Sequence, residues 1–411
     1  MKLDTILEER VPVKEVIEEV GAERTFELAR EAARGYVEEL RSNGKISFSD
    51  PKEGEVPTIH VVRDTVPEAW EDTTMALLGI GSKVHTGYDP TEGRDEYGDY
   101  RSFQSLEGTT TMHIGRPDGE PRFHKLFLGG FLRFGSYRAE IEGAHDHWMI
   151  SPERVVKMLK EGRFGEIETD SKWKYAYSQR VRNYPFIDIE GKPQTINQLD
   201  SVIRKLSSEP LSKSGQVTTW DPRWDHNDGQ MKDINGEPAI WKRRDQETGE
   251  VEEEYHSPCL QRIWFRLLPK LDDENNLQAY VANINVHFRS RDHLKAVPHN
   301  IYGIAEGMVR PTMSDLSEEL GVPVVFGRWA DINDSLHLYG HFLDPRQQGG
   351  DAESYLADVF KVARGEPIED RLITGDTEKG RRMLDYAQKT IEEEYRETME
   401  NPDKGMESII D

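Results

Sequence analysis

The clearest pattern of apolar and polar positions lies in "LQAYVANINVHFRSRD", residues 277–292. Tyr280, Ala282, Ile284, Val286 and Phe288 alternate with Val281, Asn283, Asn285, His287 and Arg289. A period of two sends the two sets to opposite sides of a strand, so one face is apolar and the other mostly polar. This predicts a strand with a core on one side and a cleft on the other. "SGQVTTW", "VPVVFGRW" and "SLHLYGHF" predict further strands. Helical spacing governs elsewhere. Phe26, Ala29, Ala33, Val37 and Leu40 share one face, and Asn43-Gly44 supplies a stop. In "TINQLDSVIRKLSSEP" (195–210), Leu199, Val202, Ile203 and Leu206 share a face. "NIYGIAEGMVRPTMSDLSEELG" predicts helix, as does "GRRMLDYAQKTIEEEYRETMEN", with Met383, Ala387, Ile391 and Tyr395 aligned.

These elements set the organisation. Residues 1–50 read as an N-terminal helical extension, set off by the turn-rich "SDPKEGEVP". Residues 86–121, with "TGYDPTEGRDEYGDYRS", read as a long rim loop. Strands and helices are interspersed without a regular βαβ period, which predicts a mixed α/β (α+β) fold. No GxGxxG or Walker-type loop occurs, so a dinucleotide or nucleoside triphosphate site of those kinds is unsupported.

Composition narrows the functions. The formal net charge is −24 over 411 residues. Such a surface repels nucleic-acid polymers and anionic membranes, and an anionic ligand would need a local concentration of Arg and Lys. No apolar run is long enough to span a membrane and no secretory signal opens the chain, so a cytoplasmic setting is expected. A single cysteine excludes an internal disulfide and a cysteine-based metal cage.

That cysteine, Cys259, sits in "YHSPCLQRIWFRL" at the head of a strand-like run. Alone it reads as a small buried hydrophobe. The arginines around it change the reading: Arg262 and Arg266 follow, and "FRSRD" brings Arg289 and Arg291. A neighbouring cation favours thiolate, and arginine anchors phosphate. The histidines of "HDHW" (145–148) and the ligand-rich "WDHND" (224–228) permit a metal site, but adjacent His and Asp are more often hydrogen-bonded structural residues, and no metal is expected.

Taken together, "SPCLQRIW", "FRSRDHLKAVPHNI" and "DSLHLYGHF" resemble thymidylate synthase, in its archaeal-type branch, a family related to the pyrimidine nucleotide hydroxymethylases. The ordered pattern is Pro258-Cys259, then Arg289-Ser290-Arg291-Asp292, then Asn300 eleven residues after Arg289, then His337-Leu338-Tyr339. Weaker likeness extends over roughly residues 57–345. The resemblance implies a mixed β-sheet flanked by helices, with a catalytic domain over 57–400, in a homodimer with shared active sites. It implies reductive methylation of dUMP to dTMP with 5,10-methylenetetrahydrofolate or methylene-tetrahydromethanopterin, through a covalent adduct of Cys259 at C6 of the pyrimidine. Arg289 and Ser290 would hold the 5′-phosphate, and Asn300 the O4 and N3 edge of uracil. Asp292 would position the ring or the pterin, while His337 and Tyr339 would bind the sugar 3′-hydroxyl. Glu140, with Glu142 close behind, would organise the proton transfers, and Trp148, Trp173 and Trp220 would line the pterin pocket. The alternatives within this resemblance are a dUMP or dCMP 5-hydroxymethylase and a non-catalytic nucleotide-binding relative. Two departures stand out. Lys213-Ser214 replaces a pair of arginines that each subunit lends its partner, leaving Arg291, Arg262 or Arg180 as substitutes, and Leu260 follows the cysteine where many relatives carry His.

Overall fold

The computed structural model describes residues 1–50, 54–84, 103–126, 177–221, 258–346 and 352–378, with a few shorter pieces. In chain order it begins α1 (Leu3–Glu8), α2 (Val13–Val20), α3 (Ala22–Ser42), β1 (Ile46–Phe48), β2 (Thr58–Arg63), α4 (Val66–Ile80), β3 (Ser82–Val84), β4 (Ser105–Ile114) and β5 (Phe123–His124). Next come α5 (Tyr177–Arg182), β6 (Tyr184–Ile187), β7 (Pro193–Ile196), α6 (Gln198–Ser208), β8 (Gln216–Thr218), β9 (Lys242–Arg244) and β10 (Val251–Glu253). Then follow β11 (Leu260–Leu271), β12 (Leu277–Phe288), β13 (Arg291–Asp292), α7 (Val297–Ile304), α8 (Arg310–Leu320), β14 (Val324–Leu338), α9 (Ala352–Ala363) and β15 (Leu372–Ile373). The predicted C-terminal helix lies almost wholly outside the described residues. None of the described helices is long and apolar enough to cross a membrane.

The chain forms two compact units. The first comprises Met1–Gly130, Phe288–Pro298 and Arg328–Arg382. Its sheet is mixed: β1 runs antiparallel to β2, β2 parallel to β4, and β4 antiparallel to β14. The short strand β13 pairs parallel with β14. β4 falls inside the stretch predicted as a rim loop; its burial alternates strictly from Leu106 to Ile114, a period that its threonines and glycine disguise. Ile59, Val61, Leu106, Met112, Ile114, Leu336 and Leu338 are fully buried on the inner face of this sheet. α4 packs there, close enough that a Cβ on Gly108 would meet Leu77 Cδ2 at 3.0 Å. α3 lies against α4 and α9. It buries all five residues that the sequence aligned, and it stops where expected, with Gly44 at φ +71° just beyond Asn43.

β14 is a single strand of 15 residues, where the sequence predicted two. Its pairing with β4 shifts by one between Asn333 and Leu336. This bulge exchanges the faces of the strand. Asp331 and Asn333 point inward before it; Leu336 and Leu338 point inward after it, which turns Ser335, His337 and Tyr339 to the other side.

The second unit comprises Phe131–His287, His299–Gly327 and Met383–Asp411. Its strands lie in the order β12-β11-β8. Ile263, Phe265 and Leu267 of β11, Ala282, Ile284 and Val286 of β12, and Val217 of β8 are all fully buried. The alternation predicted for β12 is therefore real, with Asn283, Asn285 and His287 half-buried on the other face. α6 buries Leu199, Val202 and Leu206 and packs on α8. A π-turn (Ala305–Val309) joins α7 to α8. Pro311 has no N–H to give, and the Gly307 carbonyl four residues earlier instead accepts from Arg182 Nη2 at 2.9 Å.

Candidate functional site

Cys259 stands at the head of β11, half-buried, one residue before the ladder begins. A network of polar groups fixes that strand end. Thr219 Oγ1 donates to the Leu260 carbonyl, and Thr219 N donates to the Gln261 carbonyl at 3.1 Å. Gln261 Nε2 donates to the Pro258 carbonyl at 2.7 Å. Arg180 Nη1 donates to the Thr219 carbonyl at 2.8 Å, and Gln198 Nε2 bridges the carbonyls of Arg180 and Thr218 at 2.9 and 2.7 Å. Arg180, among the sequence candidates for a substitute cation, thus belongs to the cage that holds the Cys259 strand, and its side chain is buried. Trp220 follows this cage, half-exposed.

Asn300 lies on α7 in the same unit and is 4% exposed. Lys213 is exposed in the turn before β8, where its carbonyl accepts from Trp264 Nε1 at 2.9 Å. The β8–β11 register pairs Arg262 with Thr218 and Trp264 with Gln216, so it carries Lys213 toward the far end of β11. Roughly eight residues of strand at ~3.3 Å each separate it from the Cys259 of its own chain.

The first unit gathers a different set. Arg289 is exposed and Ser290 half-buried where the chain bends between β12 and β13. Asp292 pairs in register with His337, and its Oδ1 accepts from Lys295 N at 3.0 Å. The rings of His337 and Tyr339 stack with centroids 5.6 Å apart, and Tyr339 in turn stacks on His341 at 5.8 Å. Lys295 Nζ sits 3.9 Å from the centre of the Phe342 ring.

Arg291 is corrected by the structure. It ion-pairs with Asp331 in the core, both side chains at most 2% exposed, and stacks 3.9 Å over Phe288. Asn333 and Trp329 also donate to Asp331, at 2.8 and 3.3 Å. A guanidinium held there is not available to a phosphate. Arg262 is exposed on β11.

Sequence reasoning missed Glu107 and Ser335. The register sets Glu107 of β4 directly opposite His337, with Glu107 Oε2 3.6 Å from His337 Nε2. Ser335 Oγ donates to Glu107 Oε1 at 2.6 Å. Nothing in "SLEGTTTMHI" marks this glutamate, because only the pairing of β4 with β14 brings it to the histidine. Glu140, Glu142, Trp148, Trp173 and the histidines of "HDHW" lie outside the described residues. Among the described residues no group of three His, Cys, Asp or Glu side chains could hold a metal ion.

Comparison with known proteins adds a direction. No family model matches the chain. It is similar to several archaeal proteins named "Putative thymidylate synthase". With that of Methanocaldococcus jannaschii it shares 29% identity over 166 residues, 40% of this chain and 55% of that protein. With those of Methanosarcina barkeri and Methanosarcina mazei it shares 26% and 25% over 192 residues, in each case 47% of this chain and 64% of the relative. The chain thus spans between 55% and 64% of the length of the curated relatives it matches. At this identity and coverage the similarity is to thymidylate synthase-like proteins.

Proposed function

We propose that this chain is an archaeal-type thymidylate synthase that converts dUMP to dTMP, with Cys259 as its nucleophile. The observation that carries the reading is the placement of the chain's lone thiol. It is half-buried at a strand head where the carbonyls of Pro258, Leu260 and Gln261 are tied down, an arrangement that gives a nucleophile a fixed direction of attack. The thiolate adds to C6 of the uracil, the C5–C6 double bond becomes an enolate, and C5 is thereby made nucleophilic. A methylene-tetrahydropterin supplies the one-carbon unit and the hydride. Loss of the C5 proton together with the pterin nitrogen would leave an exocyclic methylene, and hydride addition to that carbon would expel the Cys259 thiolate and restore the C5–C6 double bond.

The remaining side chains take the roles that the resemblance implies. Arg289 and Ser290, exposed and half-buried, hold the 5′-phosphate. Asn300, with both a donor and an acceptor on one amide, reads the O4 and N3 edge. Asp292 positions the ring or the pterin, and His337 and Tyr339 bind the sugar 3′-hydroxyl. Glu140 organises the proton transfers. Trp220, half-exposed beside the Cys259 strand, offers a flat face to the pterin. Lys213 serves the partner's nucleotide rather than its own, because the β8–β11 register carries it away from its own Cys259. This requires a homodimer. The second unit offers a surface suited to one: Leu268, Leu271, Leu277 and Val325 are exposed, and Trp264 is half-exposed beside them on β11.

The test is adduct formation. Wild-type protein mixed with 5-fluoro-dUMP and methylenetetrahydrofolate should gain the mass of a ternary covalent complex, and Cys259→Ala should gain none while keeping its circular dichroism and melting temperature. With dUMP, dTMP and dihydropterin should appear in equal amounts. An adduct on Cys259→Ala, or hydroxymethyl-dUMP without dihydropterin, would refute the assignment.

A further inference from the structure

His337 has a partner that the family resemblance did not assign. Glu107 Oε2 is 3.6 Å from His337 Nε2, Glu107 Oε1 accepts from Ser335 Oγ at 2.6 Å, and Ser335 Oγ is 3.4 Å from each ring nitrogen. The three side chains share the outer face of the first unit's sheet only because the bulge at Asp334 and Ser335 inverts the facing of β14. The Glu107–His337 separation is that of an ion pair rather than a hydrogen bond, and the Ser335 hydroxyl lies in the gap. The two ionisable side chains are 19% and 12% exposed, so a ligand can reach the ring. For the same reason the pair adds little to folding stability, since partly exposed ion pairs are worth little.

We propose that Glu107, braced by Ser335, is the positioning residue for His337. The carboxylate holds the imidazole in one orientation and keeps a proton on the nitrogen that faces it, which fixes the ring edge left for a ligand hydroxyl. Among the described residues, other titratable groups near the ring include Tyr339, stacked on it, Asp292, its neighbour in the β13 register, and His341, beyond Tyr339. This inference rests on the reading that His337 faces the nucleotide sugar.

The experiment uses the full chain labelled with ¹⁵N-histidine, the His337 signal being identified by its loss in His337→Gln. In Glu107→Gln the His337 titration midpoint should fall, because the anion that favoured imidazolium is gone. The dissociation constant for dUMP, measured by calorimetry, should rise about tenfold, while that for 2′,3′-dideoxy-UMP, which has no 3′-hydroxyl, stays unchanged. Ser335→Ala should move both quantities the same way by less, and carries the test if Glu107→Gln does not fold. An unmoved His337 titration overturns the positioning role, whatever happens to dUMP affinity. A shifted titration in a protein whose wild type binds no dUMP sustains the positioning role and overturns the nucleotide reading.

Discussion

Two charged clusters flank the bulge of β14, and they differ in kind. On the inner side Asp331 takes Arg291, Asn333 and Trp329 into a network whose ion-paired side chains are at most 2% exposed. On the outer side Glu107, Ser335 and His337 meet with 12–19% of the ionisable side chains exposed. Both clusters consist of an acid and a base drawn from different strands. What separates them is desolvation. A charge pair sealed from water is costly to break because the survivor stays buried and unpaired. A pair in partial contact with water is cheap to break and so is free to serve a ligand. "FRSRD" shows the same divide in five residues: Arg289 is exposed and Arg291 sealed.

Removing Asp331 should sharpen the contrast most. Asp331→Ala strands the Arg291 guanidinium and should cost about 3–5 kcal/mol in urea denaturation, whereas Glu107→Gln should change stability by less than ~1 kcal/mol. Equal losses would erase the distinction between the two clusters.

The arginines of "FRSRD" give the next largest effect. Arg289→Ala should leave the urea midpoint nearly unchanged and raise the KM for dUMP by one to two orders of magnitude, the loss of a charge-assisted contact worth about 1.5–3 kcal/mol. Steady-state kinetics at fixed ionic strength would measure it. An unchanged KM would mean that Arg289 does not hold the phosphate.

The smallest effect concerns the histidines. His293 is sealed beside Trp70, its Nε2 3.1 Å from the Trp70 carbonyl and 2.8 Å from the Thr74 hydroxyl. Burial pushes its pKa down to about 3 from an ordinary 6.5. A histidine kept neutral in the fold contributes stability that is complete above pH 6.5 and is lost as the pH falls from there toward 3. Glu71 adds to the acid limb. Arg371 and His124 outweigh the cost of its burial and hold its carboxyl below its ordinary 4.5, so its contribution is lost only at pH below that value. Melting temperature should therefore decline between pH 6.5 and 4.5, and His293→Gln should flatten that decline. An unaltered slope in His293→Gln would place the acid sensitivity elsewhere.

Much of this was legible in local pattern. The alternation of β12, the apolar stripe of α3 and the face of α6 follow from periods of 2 and 3.6, and burial respects them except at Tyr280 and Ile203, which stay half-buried. The order of Cys259, Arg289, Asn300, His337 and Tyr339 is likewise a property of the chain. β4 was not legible, because "SLEGTTTMHI" holds a glycine, three consecutive threonines and few large apolar residues, and its strand character depends on β2 and β14 pairing to it. Nor was the continuity of β14, since the mostly polar stretch 331–335 looks like a break between strands when it is in fact a buried network followed by a bulge.

The sequence by itself determined which residues could do chemistry and the helix or strand character of its strongly periodic segments, such as α3 and β12, because residue type and short-range period are written in the chain. Which face each side chain took was decided by tertiary structure. A one-residue bulge turned His337 toward Glu107, and the closing of the core turned Arg291 from a candidate anion ligand into the buried partner of Asp331. The reason is that a side chain's chemistry is intrinsic, while its access to water, and with it the availability of its charge, depends on atoms brought together from distant parts of the chain.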